Sequence, residues 1–254
     1  MKMSFLGHEK PLYTVMVQAD NPDRIEELVR LSIPEGADAF GMQICQLKPE
    51  YRNRDVYRRL FSCTEGKPIY ATHYRIGKNE GKSDETLAQE LLELAECGAT
   101  ICDVMGDYFD PTEAPLREFT EDPTAIKKQM ELIDALHARG AEVIMSSHVC
   151  RFISAEDVLR IARAHEARGA DICKIVTMAS NTREEIENLR IINLLKENLR
   201  IPFLFLCGGE CHVLRRVGHA LGNCMTLCVH EYDDLATKSQ PLLRDMAAIR
   251  GLMA

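Results

Sequence analysis

AEVIMSSHV (residues 141–149) and GADICKIV (residues 169–176) are two apolar runs of strand length, separated by the helix-length segment SAEDVLRIARAHEARG. Each run carries one ionisable residue toward its far end, His148 in the first and Lys174 in the second. Ser154 followed by Asp157 has the spacing of a capping box, which opens the segment between them as a helix. A strand–helix–strand unit implies parallel strands, so a base and an amine stand on neighbouring strands.

The same alternation extends in both directions. Upstream, LYTVMVQA (12–19), GADAFGMQICQL (36–47), KPIYATHY (67–74) and GATICDVM (98–105) read as strands. Helical patterns follow them over 21–33, 49–61, 83–98 and 122–140. Downstream, a helix over 181–198 precedes IPFLFLCG (201–208). A short helix from His212 to Leu221, the strand NCMTLCVH (223–230) and a last helix from about Gln240 to Leu252 complete the pattern. Apolar strands alternating with amphipathic helices give α/β architecture with a covered parallel sheet. Eight such units in 254 residues point to a (β/α)8 TIM barrel as a single domain over 1–254, with a doubly wound sheet as the competitor.

Composition narrows the partners. A net charge of −8 argues against nucleic acid or an anionic membrane, which attract surfaces rich in Lys and Arg. No run of 18 apolar residues exists, and MKMSFLGHEKP lacks an apolar stretch of signal-peptide length. The expected location is cytoplasmic. There the ten cysteines are expected as free thiols. Cys207/Cys211 and Cys224/Cys228 share C-x3-C spacing, but zinc knuckles more often use C-x2-C in Gly-rich loops, whereas Cys224 and Cys228 straddle a strand. No metal and no cofactor is expected.

Barrels of this kind do their chemistry at the C-terminal ends of the strands. The polar residues there include Gln43, Gln46, His73, Tyr74, Arg75, Asp103, Ser146, Ser147, His148 and Lys174, then Glu210, His212, Arg215, Arg216 and His230. Lys174 stands mid-run, where a core strand carries Val or Leu. Desolvation there lowers an amine's pKa and yields the free base that forms a Schiff base; the competing reading is a lysine paired with a carboxylate. His148 next to it suits general acid–base work. IGKNEGKSDE (76–85) has three residues between its glycines, one short of a Walker loop. CGGEC (207–211) before a helix could bind an anion, with Arg215 placed to grip a carboxylate; the alternative for Arg215 and Arg216 is an exposed helix face.

In order and spacing, these segments resemble the type I 3-dehydroquinate dehydratases over nearly the whole chain. IMSSHVCRF resembles that family's histidine strand, GADICKIVTM its Schiff-base lysine strand, and CGGECHVLRRVG its seventh-strand loop. The resemblance implies that Lys174 forms an imine with a substrate ketone and that His148 moves the adjacent proton. It further implies that Arg215 holds a carboxylate and that Gln240 closes a C-terminal loop over the site. Gln43, Arg75 and Glu80 complete the implied substrate-binding set, Arg75 by a one-residue slip past Tyr74 and Glu80 by a loop insertion. Where the family's second strand reads Glu-x-Arg, this chain has Gly41 and Gln43, and Ala236 replaces a loop serine.

The implied function is a hydro-lyase of the shikimate pathway of aromatic amino acid biosynthesis, converting 3-dehydroquinate to 3-dehydroshikimate or acting on a related hydroxy-ketone carboxylate. A class I aldolase and a non-catalytic carboxylate-binding barrel are the alternatives. The expected partner is a small-molecule keto-carboxylate, and the resemblance implies a homodimer.

Overall fold

A computed structural model of the protein describes residues 4–112, 119–211 and 213–253. The strands are β1 (Leu12–Val17), β2 (Ala39–Gln43), β3 (Ile69–Thr72), β4 (Ile101–Met105), β5 (Glu142–His148), β6 (Ile172–Ala179), β7 (Phe203–Gly209) and β8 (Met225–Cys228). Between and after them lie α1 (Pro22–Ser32), α2 (Arg54–Ser62), α3 (Asp84–Cys97), α4 (Pro123–His137), α5 (Ala155–Ala167), α6 (Thr182–Asn198), α7 (Leu214–Leu221) and α8 (Leu243–Met253). All pairings are parallel, in the order β7-β6-β5-β4-β3-β2-β1-β8. The eight-stranded barrel read from the sequence is therefore the fold.

The helices start where side chains satisfy their first free N–H groups. Asn21, Asn53, Ser83, Asp122, Ser154 and Asn181 each accept a hydrogen bond from the N–H three residues on. Asn53 also explains a difference from the sequence reading of one helix over 49–61. Pro49–Tyr51 forms a separate 3-10 turn, and α2 begins only after the Asn53 cap. At the other end of the chain the last helix starts at Leu243 rather than Gln240, because residues 237–240 close a turn through Gln240 N–H to Thr237 O.

The interior is packed rather than open. Ile101, Ile144, Ile172 and Leu204 point inward from β4 to β7 and meet Leu12, Ala39 and Met225. Phe5, from the segment before β1, seals the N-terminal end against them, with its ring edge-on to Tyr70 at 6.4 Å. It is tied there by Phe5 N–H to Glu142 Oε2 at 2.9 Å and by the Ser4 hydroxyl on the same carboxylate. Gly41 on β2 leaves room that the Met16 thioether fills; a Cβ at Gly41 would stand 2.1 Å from Met16 Sδ.

The ring closes between β7 and β8 differently from elsewhere. One backbone bond, Cys224 N–H to Phe203 O, spans the gap. Beside it the Asn223 side chain stands in for a strand: its Oδ1 accepts from Phe205 N–H at 2.8 Å and its Nδ2 donates to Phe205 O at 3.0 Å. Helix α7 approaches this joint so closely that a Cβ at Gly218 would lie 2.5 Å from Asn223 Nδ2.

Candidate active site

At the C-terminal ends of the strands the packed interior gives way to a cavity of about 200 Å3, lined by Lys174, His148, Tyr74, Arg215, Gln43 and Gln240 among others. Register explains why β5 and β6 supply the centre. Ser146 pairs with Lys174 and His148 with Val176, so His148 sits one strand over and two residues nearer the mouth. Period-two alternation then turns Ser146, His148 and Lys174 to the same inner face.

Lys174 is 4% exposed and still fully hydrogen-bonded. Its Nζ donates to Tyr74 Oη at 2.7 Å, Tyr70 Oη at 2.9 Å and Asp103 Oδ2 at 3.3 Å. Three donors thus meet three acceptors, which matches an ammonium group. Asp103 in turn accepts from the Tyr70 and Tyr74 hydroxyls on Oδ2 and from the Ser146 hydroxyl on Oδ1. Burial pushes the Lys174 pKa below the ordinary lysine value, with Arg215 acting in the same direction and Asp103 opposing it. Burial, reinforced by Asp103, also holds both tyrosines well above the usual phenol range. The structure shows the carboxylate-paired lysine of the sequence reading, and in the same place burial lowers the basicity of the amine.

The rest of the cavity is lightly charged. His148 sets its ring edge-on against Tyr74, 5.1 Å between centroids. Arg215, at the start of α7, is fixed by Nε–H to Cys207 O at 2.7 Å, and among the described residues no carboxylate pairs with its guanidinium. On the opposite wall Gln18 Nε2 donates to Gln43 and to Thr237 Oγ1, and Thr237 N–H returns a bond to Gln18 Oε1 at 2.7 Å. Gln240 is buried, and its Oε1 has no hydrogen-bond partner among the described residues.

Two residues of the sequence-derived set stand elsewhere. Arg75 points away from the cavity, with Nε on Asp84 at 2.7 Å and Nη2 on Asp107 at 2.8 Å. These carboxylates are buried and need a counter-charge, which fixes the guanidinium outside the cavity. Glu80 is exposed on the loop after β3 and does not line the cavity. His73 is likewise turned outward, onto Glu90 at 2.6 Å. His212 lies outside the described residues.

Tyr70, Gln18, Met16 and Thr237 were not legible as site residues, and Asp103 and Tyr74 were legible only as polar strand-end positions. The signal that could have marked Asp103 is the one that marked Lys174, an ionisable residue inside an apolar strand. A wider groove of about 660 Å3 between α1 and α2 is lined by Arg59, Asp23 and Glu26, which pair with one another at 2.6–2.9 Å. Its central arginine is already taken up by Asp23 and Glu26, and the buried ionisable groups cluster at the barrel mouth, which is the candidate site.

Comparison with known proteins bears on the family and the fold. The 3-dehydroquinate dehydratase of Alkaliphilus oremlandii is 31% identical over 158 residues, 58% of this chain and 61% of that protein. That of Syntrophotalea carbinolica is 34% identical over 100 residues, 38% and 39% of the two chains. The matched stretch thus spans less than two thirds of either relative's length. Among solved structures, 3-dehydroquinate dehydratase from Geobacillus kaustophilus superposes with a TM-score of 0.82 at 14% identity, covering 97% of this chain and 92% of that one. The type I enzyme from Clostridium difficile gives 0.79 at 16%, covering 97% and 94%. At these identities the structures show the shared fold alone. The sequence profile described as Type I 3-dehydroquinase matches residues 15–253, from within β1 to the end of α8, and the chain therefore belongs to the type I 3-dehydroquinase family.

Proposed function

We propose that the protein is a Schiff-base hydro-lyase acting on 3-dehydroquinate or a closely related cyclic hydroxy-ketone carboxylate. The observation that carries this reading is Lys174, a buried amine of lowered basicity on the wall of the cavity that also holds His148 and Arg215.

In this reading the Lys174 nitrogen attacks the substrate ketone, water leaves, and the iminium makes the neighbouring C–H acidic. His148 removes that proton and the electron pair is stored as an enamine. The enamine expels the β-hydroxyl, which takes a proton from His148, and hydrolysis of the conjugated imine frees Lys174. Arg215, with no carboxylate partner among the described residues, grips that of the substrate. The open Oε1 of Gln240 accepts from a substrate hydroxyl, and the Gln18–Gln43–Thr237 trio faces the ring. Arg75 and Glu80 take no part. A homodimer and a cytosolic place for the enzyme belong to the same proposal; no helix among the described residues is long and apolar enough to cross a membrane.

Met16 in the space beside Gly41 and the uncharged Gln18–Gln43–Thr237 trio favour a second reading of the substrate, one with fewer ring hydroxyls than 3-dehydroquinate. One experiment separates the possibilities: borohydride reduction in the presence of 3-dehydroquinate, followed by peptide mass mapping. A reduced adduct on Lys174 together with release of an enone supports the lyase. A product with a broken C–C bond would show an aldolase, and no adduct with any keto-carboxylate would refute the Schiff-base reading.

A further inference from the structure

We propose that the Tyr74 hydroxyl is a second acid–base catalyst of this site, passing protons between the Lys174 nitrogen and the Asp103 carboxylate while the imine is made and broken. The proposal rests on the Schiff-base reading of Lys174.

Three observations carry it. First, the Tyr74 hydroxyl stands between the two ends of the relay, 2.7 Å from Nζ and hydrogen-bonded to Asp103 Oδ2, while Tyr74 also lines the cavity. Tyr70 makes the same two bonds from the apolar floor and does not line the cavity. Second, the direct contact from Nζ to Asp103 is the longest of the three bonds of Nζ, at 3.3 Å, and the contact to Tyr74 is the shortest, at 2.7 Å, so the shorter first step for a proton leaving Nζ is to Tyr74. Third, Asp103 is held as an acceptor by three hydroxyl groups, from Tyr70, Tyr74 and Ser146. Those bonds fix the carboxylate in one position, so that protons to and from it follow the same path through Tyr74.

The chemistry balances without an added reagent. The ammonium gives one proton to Tyr74 Oη as the Tyr74 O–H proton passes to Asp103, leaving a neutral amine beside a neutral acid. The nitrogen lone pair attacks the ketone carbon, a C–N bond forms, and the carbonyl π pair moves to oxygen. A second N–H proton crosses Tyr74 to that oxygen and gives a neutral carbinolamine. Asp103 returns its proton through Tyr74 to the hydroxyl, the C–O bond breaks, and water leaves as the nitrogen lone pair forms the iminium. Two of the three ammonium protons end in water, one stays on nitrogen, and Asp103 is again a carboxylate opposite the iminium charge. Because burial keeps Tyr74 far from ionising, it accepts a proton only while giving up its own, as a relay must. His148, two residues nearer the mouth, is left for the carbon-bound proton.

The test is stopped-flow trapping of the imine with cyanoborohydride and 3-dehydroquinate, read as the rate of mass gain on Lys174, alongside deuterium exchange at the substrate carbon. The relay predicts that Tyr74→Phe slows trapping by about 100-fold or more, the usual span for loss of an acid–base group. It predicts that His148→Gln traps at the wild-type rate but loses exchange. Tyr74→Phe trapping within a few-fold of wild type would overturn the relay alone; no Lys174 adduct in the wild-type protein would overturn the Schiff-base reading beneath it. Asp103→Asn separates proton transfer from simple charge. If Asp103 only raises the basicity of the amine, Asp103→Asn traps faster at acid pH, which overturns the relay; slower trapping at every pH supports it. Should neither variant keep a cooperative melt, the proton inventory of wild-type trapping decides. Curvature from two protons in flight supports the relay, and a straight line overturns it.

Discussion

The Lys174 nitrogen and Asp103 Oδ2 are 3.3 Å apart, with the two side chains 4% and 0% exposed. Removing one partner of a sealed pair leaves the other charge buried without its counter-ion. Lys174→Ala is therefore expected to abolish adduct formation and to lower stability by about 3 kcal/mol, most of which returns in Lys174→Met/Asp103→Asn. Urea denaturation of wild type and the two variants checks this. A Lys174→Ala protein as stable as wild type would show that the pair adds nothing to the stability of the fold.

Gly41 and Met16 give a packing prediction. Gly41→Ala drives a methyl into the thioether, 2.1 Å from Sδ and 2.8 Å from Cε, an overpacking that typically costs about 1–3 kcal/mol. Adding Met16→Ala should relieve most of it. A double-mutant cycle reads the coupling directly, and additivity would mean that Met16 moves away without cost.

Arg215 carries the carboxylate prediction. Losing a charge-assisted hydrogen bond of about 1.5–3 kcal/mol should raise KM for 3-dehydroquinate about 10- to 100-fold in Arg215→Gln, with kcat changed less. The guanidinium also lowers the basicity of Lys174, so the same variant should shift the rising limb of imine formation to higher pH. Unchanged KM would place the carboxylate elsewhere.

His165 predicts acid sensitivity unrelated to catalysis. It is fully buried, 3.0 Å from Ser147 Oγ and 3.4 Å from Cys173 Sγ, and burial lowers its pKa to about 3. The folded protein keeps the ring neutral while the unfolded chain protonates it below about pH 6.5. The unfolded state then binds more protons, so this contribution is present above pH 6.5 and is lost as pH falls toward 3. His165→Gln should flatten urea midpoints measured across that window, and an unchanged slope would refute the assignment.

How much of this was legible in the sequence depends on distance along the chain. Strand and helix order were readable because period and caps are local, as at Ser83 and Ser154. Lys174 was readable because a charge inside an apolar strand announces itself. Arg75 was misplaced because its partners Asp84 and Asp107 are 9 and 32 residues away, and nothing local shows that they claim it. Tyr70 reads as an ordinary strand aromatic until the barrel closes and sets it against a lysine 104 residues on. Met16 is invisible for the opposite reason, since its role is to fill what Gly41 lacks.

Asn223 has a consequence beyond closing the cylinder. Seven joints of the ring are zipped by strand ladders; the eighth is a clasp, one amide side chain and a single backbone bond to Phe203. With fewer backbone bonds than any of the seven ladders, this joint leans on one side chain for its closure. Helix α7, which carries Arg215, is fastened across that clasp through Gly218. Arg215, the residue proposed to grip the substrate carboxylate, therefore rides on the helix beside the clasp, whereas Lys174 stands on β6 inside the laddered part of the ring.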